Sequence, residues 1–126
     1  MTRKLLSGVF LVTAISIGLG AFGHGSQWPR HVLPVLQSLD AHTVRLLALV
    51  WYWVSGAMFT FGALLVWTWW RIGRGDTNLW FVAWLTGAFY LIEGLVGALY
   101  LGTFFLLFAV QAVLLCGTAL LLRRTV

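Results

Sequence analysis

Acidic residues are scarce in this 126-residue chain, three in all against eight lysines and arginines, and there is one cysteine, Cys116. A lone cysteine excludes an intrachain disulfide and a two-thiol redox relay, which leaves Cys116 as a small packing residue. No lysine lies in a long apolar run, so a retinal Schiff base has no anchor. No histidine does either, which argues against a haem held between membrane helices by axial imidazoles. The chain also lacks a Gly-x-Ser-x-Gly elbow, a phosphate-cradling glycine loop and a His-Glu-x-x-His motif. No cofactor is therefore expected, and nothing singles out an enzyme.

What is present is apolar. Hydrophobic residues make up 61% and charged ones 9%, and the mean hydropathy is +0.95, far from the composition of a water-soluble domain. A membrane span needs about 20 apolar residues, and four runs qualify: 5–22, 46–70, 79–100 and 104–122. Continuous runs, rather than alternating segments of about 10 residues, exclude a lipid-facing β-barrel. The expected fold is all-α, a single membrane domain built as a four-helix bundle.

The net charge of +5 is distributed as membrane topology requires, not as nucleic-acid binding requires. In a four-span arrangement Arg3, Lys4, Arg71, Arg74, Arg123 and Arg124 fall on one side, and only Arg30 and Arg45 on the other. The positive-inside rule then places both termini in the cytoplasm, in what is expected to be a bacterial inner membrane. Interfacial aromatics agree: Trp51, Tyr52 and Trp53 near the outer boundary, and Trp67, Trp69, Trp70, Trp80 and Trp84 near the inner one.

The first run imitates a signal peptide, with Arg3-Lys4 before it and Ala21-Phe22-Gly23 at its end. Cleavage would leave three spans and reverse the parity of the termini, so the run is expected to stay. The segment 24–45 then forms an external loop holding all three histidines, His24, His31 and His42. Spacings of seven and eleven match no compact metal motif, so these are weak candidates for a metal. From Pro34 to Leu47 the apolar periodicity, with Ser38 and Asp40 as possible caps, predicts a short interfacial helix leading into the second span.

Within the spans, small residues line up at helical spacing: Ala48, Ser55 and Gly62 in the second; Ala83, Gly87, Gly94, Ala98 and Gly102 in the third; Ala109, Ala112, Cys116 and Ala119 in the fourth. Such seams let helices approach closely in lipid, where contact and not hydrophobicity drives association. Gly62, Gly87, Gly94 and Ala98 are the expected packing positions, with one seam left over for a second subunit.

The carboxylate of Glu93 is the one charge between Leu79 and Leu122, and an ionisable residue in a span is a functional-site candidate by default. Thr86, Tyr90, Glu93, Gly97 and Tyr100 follow at spacings of four, three, four and three, which predicts a polar stripe on one face. At about 1.5 Å per residue from each outer end, Glu93, Ser55, Gln111, Ser16 and Thr13 fall at similar depths. They are expected to converge on an outward-facing pocket, with Tyr90 and Tyr100 beside the carboxyl. Glu93 then either exchanges a proton or binds a ligand, or is held neutral as interhelical glue.

Residues 53–59 echo residues 84–90 (Trp-Val-Ser-Gly-Ala-Met-Phe against Trp-Leu-Thr-Gly-Ala-Phe-Tyr) in spans of opposite direction. The echo reads either as an inverted repeat, as in many transporters, or as convergence among common membrane residues. Chain size, span number and a single membrane glutamate resemble the small multidrug resistance transporters in format. That family has its glutamate in the first helix, where this chain has none, so no residue is carried over. Two functions follow: an oligomeric transporter or channel component with its pocket at Glu93, or a non-catalytic accessory subunit packed in lipid against a larger membrane partner.

Overall fold

The computed structural model describes residues 2–76 and 78–123, and among them there is no strand. Four helices carry the chain: α1 (Arg3–Gln27), α2 (Ala41–Gly73), α3 (Trp80–Tyr100) and α4 (Leu106–Arg123). All four are long and apolar enough to cross a bilayer. They form an all-α bundle in which α1 packs along α2 and α4, α3 packs along α4, and α2 and α3 touch far less.

The segment 24–45 differs most from expectation. Instead of leaving the helix near Phe22, the chain stays helical through Gln27. It continues through a π-helical turn at Trp28–Val32 and a 3₁₀ turn at Leu33–Leu36. The widened turn has a local cause. Pro29 has no N–H to give, and Leu33 N–H reaches back five residues to the Trp28 carbonyl.

After a short bend, Asp40 caps α2 rather than a separate interfacial helix. Its carboxylate accepts from the backbone N–H groups of His42 and Thr43, both at 3.0 Å, and from the Thr43 hydroxyl at 2.6 Å. The 33 residues of α2 span about 50 Å, against a hydrocarbon core of about 30 Å. Helix α2 is thus longer than a perpendicular crossing needs.

The other turns are tighter. Between α2 and α3, Gly75 adopts φ +90°, and Asp76 both accepts from the Asn78 N–H at 2.9 Å and pairs with Arg71 at 2.7 Å. Between α3 and α4, Leu101 and Gly102 both donate to the Gly97 carbonyl, at 2.8 and 3.1 Å, with Gly102 at φ +127°.

The core is built around α1, whose stripe Leu6, Phe10, Ala14, Ile17 and Ala21 is buried. Leu65 of α2 and Ala112, Leu115 and Ala119 of α4 complete its centre. Two glycine contacts close the hairpins. A Cβ on Gly62 would overlap the Gly18 backbone, and one on Gly94 would overlap the backbone of Ala109. Gly87 abuts Cys116 in the same way, while Ala98 is only half-buried. Gly62, Gly87 and Gly94 therefore close the bundle from within.

The echoed heptapeptides do not serve equivalent roles. Ser55 and Thr86 are both buried, but Met58 is buried where Phe89 is exposed, and Phe59 is exposed where Tyr90 is buried. The two stretches present different faces to the core.

Candidate functional site

Helix geometry decides where Glu93 points. At about 100° per residue, the buried positions Thr86, Tyr90, Gly97, Ala83, Gly94 and Gly87 of α3 fill an arc roughly 100° wide. Glu93 lies about 60° from Tyr90 and Tyr100 about 80°, both on the flank away from Gly87 and Gly94. Both are exposed, Tyr100 at 82%. The expected stripe is split: Thr86, Tyr90 and Gly97 face the core, while Glu93 and Tyr100 leave it. Spacings of four and three drift across a helix face, and here the drift carries the third and fifth members, about 20° and 40° beyond Thr86, past the edge.

Tyr90 is held among rings, edge-on to Phe108 at 5.7 Å and to Phe61 at 6.5 Å between centroids. Its hydroxyl is buried without a hydrogen-bond partner, so it does not hold the Glu93 carboxyl. Phe89, one turn before Glu93, lies 5.6 Å from Phe61 of α2. That contact places Glu93 on the flank of α3 turned toward α2, where the bundle is least closed. Among the described residues no hydrogen bond or ion pair reaches its carboxylate.

The other expected members of the pocket have different partners. Gln111, 9% exposed, donates from Nε2 to the Ser16 hydroxyl at 3.0 Å across the α1–α4 contact, and its Oε1 is left unpaired. Thr13 closes onto the Val9 carbonyl of its own helix at 2.9 Å.

Ser55 belongs to a cluster that the sequence did not join. Its Oγ lies 2.9 Å from His24 Nδ1, the His24 ring stacks on Trp51 at 4.2 Å and 13°, and Trp51 Nε1 donates to the His24 carbonyl at 2.9 Å. This cluster locks the extended part of α1 to α2. His31 and His42 are exposed, and the three histidines do not meet. Among the described residues no group of three His, Cys, Asp or Glu is placed to hold a metal.

Two concavities accompany these features. A groove of about 550 Å³ runs between α1 and α2 past Ala21, Phe22, Gly25, Tyr52, Ser55 and Phe59. A notch of about 50 Å³ lies at the opposite, basic end, between Arg3, Ser7, Trp69 and Leu122. Glu93 lines neither.

Fold and composition define the class: a four-helix α-helical protein with the character of an integral membrane protein. No family model, curated protein or solved structure matches the chain. The particular role therefore rests on the geometry just described.

Proposed function

We propose that this chain is a non-catalytic assembly subunit of a larger membrane complex, docking laterally through the flank of α3 that carries Glu93. One observation carries the reading: the sole acidic residue of the spans is exposed on the bundle surface, and among the described residues it has no hydrogen-bond or ion-pair partner. Glu93 lies seven residues, about 10 Å, inside the end of α3, too deep for a short side chain to reach the interface. A carboxyl left in hydrocarbon costs about 2 to 3 kcal/mol on insertion-based scales. Contact with a donor on a neighbouring helix removes that cost.

The apolar runs 5–22, 46–70, 79–100 and 104–122 contain no lysine, arginine or histidine, and their one amide, Gln111, already donates to Ser16, so the complementary donor is a basic or amide side chain of a different membrane protein. Around Glu93 the flank is apolar, with Phe89, Ile92 and Val96 all exposed. Those residues supply the packing surface, and the carboxyl supplies the specific contact.

The test is site-specific photocrosslinking in native membranes, with the photoreactive residue at Ile92 and, as a control, at Val113 on α4. A discrete heterologous adduct from position 92, absent from position 113 and lost in Glu93→Leu, is the expected result. An adduct of twice the chain mass overturns the heteromeric reading in favour of self-association. Adducts from both positions, or adducts indifferent to Glu93, overturn the docking face altogether.

A further inference from the structure

At the basic end of the bundle, the inner turns of α1, α2 and α4 leave a notch of about 50 Å³ lined by Arg3, Ser7, Phe10, Trp69, Gly73 and Leu122. Trp69 Nε1 donates to the Ser7 hydroxyl at 2.8 Å, so that oxygen accepts one bond and keeps its own hydrogen to donate. Among the described residues no acceptor takes that hydrogen. Arg3 at the rim makes no ion pair among them, and the ion pair of this end joins Arg71 to Asp76.

Among the described residues the notch thus offers Arg3 and an unused hydroxyl donor, with no carboxylate on its walls. Lys4 and Arg123 flank it in sequence, and Arg74 lies over the Trp70 ring at 3.9 Å from its centroid. Its depth is that of the tryptophan belt, where headgroups meet hydrocarbon.

We infer that this notch binds the phosphate group of an anionic phospholipid. Arg3 and Ser7 hydrogen-bond the phosphate oxygens, while the acyl chains lie along the bundle outside. The chemistry is that of any charge-assisted oxyanion site. One feature selects a lipid over a free anion: the remaining walls are apolar, Phe10, Ile72 and Leu122 among them. The notch is remote from Glu93, so this inference stands apart from the docking reading.

The test uses the full chain in detergent micelles, titrated with dioleoylphosphatidylglycerol, dioleoylphosphatidylcholine or inorganic phosphate and read by native mass spectrometry. Phosphatidylglycerol is expected to bind in preference to phosphatidylcholine, and millimolar phosphate not to displace it. Arg3→Gln is expected to weaken it about tenfold, as loss of a charge-assisted bond does. Lys4→Gln, an exposed neighbouring charge, is expected to change it less than about twofold.

Ser7→Ala also unpairs Trp69, so Gly73→Leu serves as the independent variant. Gly73 lines the notch and an added Cβ there meets no atom within 4 Å, so the helix accommodates a leucine that crowds the opening. It too is expected to abolish the preference for phosphatidylglycerol. Equal losses in Arg3→Gln and Lys4→Gln, retained binding in Gly73→Leu, or displacement by inorganic phosphate each overturns the inference.

Discussion

Tyr90 illustrates how residue identity and residue environment part company. Its hydroxyl, expected beside Glu93, is enclosed by Phe61 and Phe108 and has no hydrogen-bond partner. A buried unpaired hydroxyl carries a desolvation penalty that a hydrogen atom does not. Tyr90→Phe is accordingly expected to stabilise the bundle by about 1 kcal/mol in reversible unfolding from mixed micelles. A loss of stability of similar size would show that the hydroxyl has a partner after all. Glu93 and Gln111 were recognisable as unusual from sequence because polar groups are rare in such runs. Their partners were not, because a partner depends on a rotation of a few tens of degrees about a helix axis, which composition leaves undetermined.

Two elements depend on single residues that the sequence does identify. Asp40 stands at the start of α2 and caps it, as its position before Ala41 suggests. Its carboxyl is held below the ordinary range, first by the Thr43 hydroxyl and then by the Thr43 N–H. A carboxyl depressed in the folded state contributes stability that is full above its unfolded pKa and is lost as pH falls through the folded value. Amide exchange at His42 and Thr43 is therefore expected to accelerate as pH drops below about 4, after correction for intrinsic rates. Asp40→Asn, which keeps a cap without titrating, should remove that dependence.

The α1–α2 contact offers a second test at this scale. The nearest atoms to a side chain at Gly62 are backbone atoms of Gly18 and Ala14, which cannot turn aside. Gly62→Leu is expected to destabilise the hairpin by about 3 kcal/mol. Gly56→Leu, one and a half turns away and facing open space, is expected to change it little. Equal effects at the two positions in the same unfolding measurement would refute the role given to the Gly18–Gly62 approach.

For the whole molecule, the decisive property is what the bundle leaves uncovered. The exposed Glu93 predicts a separation of effects. Glu93→Leu should leave the thermal stability of the purified chain within about 0.5 kcal/mol of the wild type, because no hydrogen bond or ion pair among the described residues is lost, while it shifts the native-membrane complex to lower mass on blue-native electrophoresis. Destabilisation of the isolated chain instead would place the carboxyl in an intramolecular role. The long α1–α2 hairpin adds a second whole-molecule feature. Its α2 arm is longer than the hydrocarbon thickness of a bilayer, and the His24–Ser55–Trp51 cluster ties it to α1.

The sequence by itself determined the class of fold, the number of helices, three of the four span boundaries to within a few residues, and the asymmetric basic end. These follow from the length and hydropathy of local runs, which the bilayer thickness converts directly into helices. It misplaced the end of the first helix. Gly23, Gly25 and Pro29 resemble breakers, yet Gly25 packs on Ser55 and the buried Trp28 packs on Trp51 and Tyr52, and that contact keeps the chain helical. Only the tertiary structure decided that Gly62, Gly87 and Gly94 close the bundle from within, that Ser55 belongs to His24, and that Glu93 faces outward. The physical reason is common to all three: which residues share an interface depends on the rotation and crossing of helices set by close packing along their whole length, and no local pattern encodes it.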